Sequence, residues 1–552
     1  MRSAAVPGLV PVLMLISLAC AGRPAPEAGG VSGAAAGIRA DAIRAHMAFL
    51  ADDALEGRQP GTRGYDLAAK YARTHLEALG LRGGGEDGSF YQSVPLRRGD
   101  AVPSGCSFVL AGPRGRRSLS FEADYIFGDP EAGIERKVSA PLVFAGFGVT
   151  APELQYDDYE GIDATGKIVV LLSNAPATFP PTLRAHYADG LTKQENAVAH
   201  GAVAMVRINL PENEKRFPWP RVLRQARLGS MSWINEKGQP AGSLEPLQVR
   251  ARLSSPGAQA LFAGETPTLE AIFAAAREGK PPAFALTKRA TIHRRSVHTP
   301  VASDNVVAVL EGSDPQLRGE YVVYSAHLDH LGIGPAVKGD TIYNGALDNA
   351  AGSSILLEVA RAFASLPVAP RRSTLFLLVT AEEKGLVGSD YFADRPTVPR
   401  ERIVANINVD GGATLYPAGD IIAWGEEHSS LKTLVRRAAQ AVDLEVSPDP
   451  FPEETIFIRS DQYSFVRRGV PSVYVELGLR SLDPKIDGAA VVRNWLVTDY
   501  HSPQDDMSQP IHFESSARLA RLAFLLGHSV AMQDTRPEWN PEDFFGNRYG
   551  RR

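Results

Sequence analysis

The chain has 552 residues, too many for one ordinary domain, so two or three are expected. Its 44% hydrophobic and 22% charged content are those of a globular protein and exclude a disordered or fibrous one. A formal net charge of -5 over this length argues against nucleic acid as a main partner.

The N-terminus has the layout of an export signal. Arg2 precedes an apolar run from Val10 to Ala19, too short for a membrane span, and a Pro- and Gly-rich segment follows from Arg23 to Gly37. The residues before Cys20 (Ile16, Ser17, Leu18, Ala19) resemble a bacterial lipobox, with Ser17 where that motif most often has Leu. Lipidation of Cys20 would tether the mature chain to a membrane surface. Ala19-Cys-Ala also fits a site cleaved after Ala21. The expectation is an export signal over 1–22, a linker over 23–37, and a periplasmic or extracellular protein whose membrane contact is at most that lipid anchor. Cys106 is the one other cysteine. No internal disulfide framework is therefore available, and the core must hold the fold.

From Ile38 the pattern turns helical. Tyr65, Ala68, Ala72, Leu76 and Leu79 share a face, and Gly80 is placed to stop the helix. Residues 38–121 are assigned to the first part of the main domain. Between 122 and 290 the texture changes to short strands and turns, consistent with an inserted β-rich domain. Pro141-Leu-Val-Phe-Ala, Lys167-Ile-Val-Val-Leu-Leu and Ala202-Val-Ala-Met-Val read as strands, and Lys193 to Gly201 as a short helix. Gly146-Phe-Gly-Val-Thr-Ala imitates a dinucleotide fingerprint, but Pro152 and Tyr156-Asp-Asp-Tyr follow where a helix would be needed. No residue of the insert reads as catalytic.

Residues 291–534 alternate strand and helix. Ile355, Leu356, Val359 and Phe363 form one helical stripe, Leu431, Leu434, Val435 and Ala438 another, and Leu519, Leu522, Ala523 and Leu526 a third. The predicted fold class is α/β, with a mixed, largely parallel sheet flanked by helices. The tail, 535–552, is rich in Pro, Gly and charge and is expected to be poorly ordered.

The chemistry concentrates after the strand-like runs of this last part. Ser325-Ala-His-Leu-Asp-His, Asn344-Gly-Ala-Leu-Asp-Asn-Ala-Ala-Gly, Thr380-Ala-Glu-Glu-Lys-Gly and Asn408-Val-Asp-Gly place His327, Asp348, Glu382, Glu383 and Asp410 at successive loops. Thr498-Asp-Tyr-His-Ser-Pro-Gln-Asp adds His501. Singly, each has a plain structural explanation as a cap or a surface group. Together, two histidines and several carboxylates past strand ends suit a pair of divalent cations, zinc first and other divalent metals next. His330 is expected to point away from this group and to lie at the surface.

These motifs, in this order, resemble the dizinc aminopeptidase family of metallopeptidases, peptidase family twenty-eight, whose relatives include glutamate carboxypeptidase and glutaminyl cyclase. Leu55-Glu-Gly-Arg-Gln-Pro-Gly-Thr resembles the family's N-terminal signature. The region 122–290 resembles a protease-associated insert through Tyr156-Asp-Asp-Tyr-Glu-Gly-Ile-Asp-Ala-Thr-Gly-Lys-Ile-Val-Val and Asn196-Ala-Val-Ala-His-Gly-Ala-Val. The resemblance implies two zinc ions per chain. His327 and Asp410 would hold one, Glu383 and His501 the other, and Asp348 would bridge them. It further implies Glu382 as general base toward a water between the metals, Tyr500 as an oxyanion donor, and Asp329 as the partner that orients His327. Arg459-Ser-Asp-Gln-Tyr-Ser-Phe resembles a pocket segment in which Gln462 replaces a frequent His. The implied activity is N-terminal exopeptidase action on peptides with a free amine. A carboxypeptidase or cyclase of the same family, or a non-catalytic binding lipoprotein, are the alternatives.

Overall fold

The β-branched and aliphatic runs of the C-terminal half cannot leave either face in water, and a computed structural model shows them as the buried strands of a sheet. The structure describes Met1 and residues 30–128 and 133–550. The export signal and Cys20 lie outside the described residues. Among the described residues, no helix is long and apolar enough to cross a membrane.

Four strands form the parallel centre. Tyr321–His327 lies between Ser373–Val379 and Ile403–Asn408, and Ser472–Leu477 continues the parallel run beyond the latter. Asp420–Trp424 then pairs antiparallel with Ser472–Leu477. On the other side the end of a long strand, Ala283–Leu310, runs antiparallel to Ser373–Val379. That strand also pairs with Tyr91–Ala101, and Ser230–Trp233 adds to Tyr91–Ala101 in turn. The sheet is therefore mixed and largely parallel, with helices on its faces.

The helical stripes predicted from sequence supply the cover. Ala351–Ala364, Leu431–Ala441 and Phe513–Met532 bury Ile355, Val359, Leu434, Val435, Leu519 and Leu522 in one core with Tyr65, Ala68 and Leu76 of Arg63–Ala78. Gly80 follows that last helix at φ +79, a conformation that ends a helix and that glycine adopts without a Cβ penalty.

A second core gathers Leu142, Phe144, Ile168, Val206 and Leu253 of the region 122–290 and takes in Phe108, from ahead of it in the chain. Glu135–Ala145, Ile168–Leu172, Ala204–Ile208 and Val249–Leu253 form a parallel series. The insert holds more helix than a β-rich reading allows: Pro181–Ala188, Gly190–Ala199, Trp219–Arg227, Ser255–Phe262 and Leu269–Arg277 among others. Gly190–Ala199 overlaps the helix read at Lys193 to Gly201; the others are short, and several have proline in their first turn, so they read as turns in sequence. The Gly146 motif runs into the short strand Thr150–Ala151 and a turn rather than a helix. Asp158 accepts the N–H groups of Phe147 and Val149, so this loop is closed by a side chain of the fold itself.

The expectation of a poorly ordered tail is corrected. Phe544–Tyr549 is helical, and Phe545 is fully buried against Trp424, Phe457 and Ala185, the last of which belongs to the insert. Two adjacent phenylalanines outweigh the polar composition around them.

Candidate active site

Each parallel strand ends at the same edge of the sheet and delivers chemistry there. Tyr321–His327 ends on His327 itself. Ser373–Val379 leads into Glu382 and Glu383, Ile403–Asn408 into Asp410, and Ser472–Leu477 carries Glu476. Asp348 sits on the irregular turn Ala346–Ala350 that enters the helix Ala351–Ala364. His501 follows Gly488–Thr498 in a left-handed conformation, φ 56.

The structure brings together all six of the principal residues singled out in the sequence. His327 Nε2 lies 3.2 Å from Asp348 Oδ1 and 3.0 Å from Asp410 Oδ1. His501 Nε2 lies 3.1 Å from Asp348 Oδ2 and 3.1 Å from Glu383 Oε2. Asp348 thus turns one oxygen to each imidazole. Glu382 stands further back, its Oε2 3.9 Å from His327 Nε2.

The donor set fits divalent cations. Two groups, His327 with Glu382 and Asp410, and His330 with Asp348 and Glu383, each hold their donor atoms within 4.8 Å of one another. Asp348 Oδ2 and Glu383 Oε1 are buried and face imidazole nitrogens, His501 Nε2 at 3.1 Å and His330 Nδ1 at 2.6 Å, and Asp461 is fully buried nearby. So many buried carboxylates cannot remain ionised without compensating positive charge.

The two adjacent glutamates are driven apart electrostatically. Burial works to raise Glu383, but His501 and His330 overcome it and hold the carboxyl at about 2. Burial raises Glu382 as well; there His327 opposes it, Asp410 and Asp461 reinforce it, and the carboxyl ends well above its ordinary value. One is therefore suited to remain an anion and the other to carry a proton. Burial would lower His501, but Glu383 and Asp348 push it up to about 9.

The neighbours of this cluster differ in part from the sequence-based expectations. Asp329 does not turn its carboxylate to His327. Oδ1 accepts the Glu382 N–H at 3.0 Å and Oδ2 the Glu383 N–H at 3.3 Å, while the backbone carbonyl of Asp329 faces His327 Nδ1 at 3.1 Å. The side chain fixes the turn of the two glutamates, and the main chain serves the histidine. His330 is not at the surface: it is fully buried, with Nδ1 2.6 Å from Glu383 Oε1. The chain turns back after His327, with the His330 N–H donated to Arg58 O, which brings the ring against the oxygen of Glu383 that His501 leaves open. Tyr500 lines the cavity beside Asp348 and Glu382, and its hydroxyl meets Arg459 Nη2 at 3.1 Å.

Several supporting residues escaped the sequence reading. Asp505 accepts the N–H groups of Leu347 and Asp348 at 2.8 and 3.0 Å. Asn349 accepts from Gly411 N, joining the Asp348 and Asp410 loops. Ser460 donates to Asp410 Oδ2 at 2.6 Å. Arg58 of the N-terminal signature is buried and donates to the carbonyls of Leu328, Asn344, Gly345 and Leu50. Glu476 could have been found by the rule that found Asp410, since it too is a carboxylate at the end of a parallel strand. Beyond the carboxylates the cavity is apolar, with Leu415, Trp424, Phe451 and Trp495 on its walls.

Comparison with known proteins supplies the context for this geometry. Residues 305–526 match the family model described as Peptidase family M28. The Mus musculus protein named Aminopeptidase NAALADL1 is 34% identical over 150 residues, covering 26% of this chain and 18% of that one. The probable leucine aminopeptidase 2 of Aspergillus oryzae is 26% identical over 178 residues, covering 30% of this chain and 32% of its own. The match therefore spans less than a third of either relative's length. Among solved structures, the aminopeptidase from Aneurinibacillus sp. strain AM-1 superposes with a TM-score of 0.53 at 18% identity, covering 95% of this chain and 100% of that one. That likeness establishes the fold.

Proposed function

Because residues 305–526 match the model of peptidase family M28, we propose that this chain is a zinc-dependent aminopeptidase of that family, removing the N-terminal residue of peptides with a free amine. The observation that carries the reading is Asp348, whose two oxygens face two different histidines, each also paired with its own carboxylate. That arrangement suits two zinc ions, one held by His327 and Asp410, the other by His501 and Glu383, with Asp348 shared. When bound, the two cations supply the charge that acidifies a water molecule and polarises a peptide carbonyl.

The chain's own residues do the rest. Glu382, set back from the ligand atoms and disposed to hold a proton, takes one from the attacking water and returns it to the departing amine. Asp329 fixes its aim through the backbone. The Tyr500 hydroxyl, beside the Arg459 guanidinium, is placed to donate to the carbonyl oxygen as charge develops there. Glu476, which lines the cavity next to Asp410 and is pushed up to about 8 by burial, offers a carboxyl that a substrate's charged amine would draw into its ionised form. The relatives named as aminopeptidases support this choice over carboxypeptidase or cyclase action. We read the inserted body as a protease-associated-type domain and the N-terminus as an export signal with lipidation at Cys20, on the motifs quoted above. The mass of the mature N-terminus tests the latter.

The activity is tested with a panel of free-amine and N-blocked peptides, with product masses measured. Release of a single N-terminal residue from unblocked peptides only is the expected result. Cleavage of blocked peptides from the other end, or cyclisation of N-terminal glutamine without hydrolysis, would overturn it.

A further inference from the structure

The insert meets the candidate active site through one helix, Trp219–Arg227. Arg221 donates to Leu496 O at 2.8 Å and to Tyr500 O at 2.7 Å, and its guanidinium lies 5.3 Å from the centre of the Tyr500 ring. One helical turn on, the Gln225 carboxamide abuts His501 Nδ1, the ring nitrogen opposite the one that faces Asp348 and Glu383. Just past the helix end, the Leu228 carbonyl receives Gln59 Nε2 and Lys384 Nζ, both at 3.5 Å, and its side chain packs on Leu331 and Tyr343. Lys384 directly follows Glu383. The helix and the residue that caps it therefore touch both loops that carry the His501–Glu383 pair.

This contact meets a need of the site. His501 stands on a turn with left-handed backbone, outside any strand or helix. A histidine that offers Nε2 to a cation keeps its proton on Nδ1 and requires an acceptor there. Gln225 Nε2 lies against Nδ1 in this structure, and a half-turn of the carboxamide, which leaves its shape unchanged, puts Oε1 there as the acceptor. The ring's orientation then depends on a residue more than two hundred positions earlier in the chain, as does the turn that Arg221 clamps.

We propose that the helix Trp219–Arg227 is part of the active centre: Gln225 is the positioning residue for His501, Arg221 fixes the turn bearing it, and the insert thereby sets the affinity of the cation position made by His501, Glu383 and Asp348. The proposal rests on the two-zinc reading above. It assigns the insert a role within the site itself, separate from any effect on access to the cleft.

The test uses the full chain and four proteins: parent, Gln225→Met, Gln225→Glu and Arg221→Met. Zinc is titrated into each metal-free protein against a chromogenic chelator, which resolves two affinities, and metal-free thermal unfolding is followed in parallel. Gln225→Met keeps the side chain's length and removes the acceptor. It is expected to weaken one zinc position by roughly 10- to 100-fold and leave the other within a few-fold. Gln225→Glu restores an acceptor and should return the weakened position to near the parent value. Arg221→Met should act in the same direction as Gln225→Met. Parent-like affinities at both positions in Gln225→Met, or equal weakening of both, would overturn the inference while leaving the two-zinc reading intact. A parent that binds no zinc would overturn both. Should Gln225→Met lower the metal-free melting temperature, the Met-to-Glu comparison still decides: failure of Glu to recover the one position counts against the proposal.

Discussion

Arg58 gives the clearest connection between an N-terminal motif and the geometry of the site. Its guanidinium is buried and reaches the carbonyls of Leu328 at 2.9 Å, Asn344 at 2.5 Å and Gly345 at 3.0 Å, with Leu50 as a fourth acceptor. Leu328 adjoins His327, and Asn344 and Gly345 begin the turn to Asp348. Burial lowers the group to about 10, so it stays charged at neutral pH. In Arg58→Met the volume is largely kept and the four donors are lost. Four bonds from a charged donor at about 1.5 kcal/mol each come to about 6 kcal/mol. Relief from burying the cation returns roughly 2 kcal/mol of this. The net, about 4 kcal/mol, corresponds to nearly a thousandfold change in a local opening equilibrium. Hydrogen exchange by mass spectrometry on metal-free protein should show that acceleration in peptides covering residues 328–350, and much less in Phe513–Met532. Exchange in 328–350 within threefold of the parent would refute the idea that Arg58 holds these loops.

Three further outcomes are expected. Glu382→Gln should lower kcat by about 10²- to 10⁴-fold with KM within a few-fold of the parent and zinc content unchanged; loss of zinc in step with activity would make Glu382 a ligand instead of a base. Removal of metal by a chelator should lower the melting temperature, because Asp348, Glu383 and Asp410 lose their compensating charge, and added zinc should restore it; identical melting curves would count against bound cations. The third concerns pH. His186 of the insert is buried beside Tyr463 and Phe545, and burial, aided by Arg548 and Arg467, lowers it from 6.5 to about 3. Between those values the unfolded chain binds the proton and the folded one does not, so stability falls as pH drops below 6.5. The slope from this group is at most about 1.4 kcal/mol per pH unit. Protease cleavage within 533–550 should rise with acidification in the parent and respond less in His186→Phe; equal pH responses would exclude His186 as the cause.

Much of the fold and of the site was legible because both follow from local pattern. Continuous aliphatic runs such as Leu375-Phe-Leu-Leu-Val declared buried parallel strands, and a His or carboxylate just beyond each run declared the site. His501 was readable because its own motif is polar and compact. What pattern could not supply was direction and distance. Whether Asp329 served His327 or the Glu382 turn depended on where its carboxylate pointed, and the fate of His330 on a reversal of the chain after the strand. Gln225 and Arg221 had no signal at all, since an amphipathic surface helix with arginines and a glutamine is ordinary. Only the packing of the insert on the turn at Tyr500 and His501 gives them meaning. The tail misled for a different reason: its composition is polar on average, but Phe544 and Phe545 act individually.

The strand Ala283–Leu310 also has a consequence for how the protein is made. It is 28 residues long, begins within the insert's sheet and ends within the main one. During synthesis Tyr91 must wait for Val306, its partner across the ladder, and the whole insert emerges in between. Folding of that body draws the ends of the intervening chain together and lowers the entropy cost of closing so long a loop. Every proposed zinc ligand, from His327 to His501, emerges later still. Ribosome-bound chains arrested far enough beyond Leu310 for that strand to have left the exit tunnel should therefore already resist protease within the insert. The inserted body then works as a jig: it is finished first, and the main sheet and the residues around Asp348 are assembled against it.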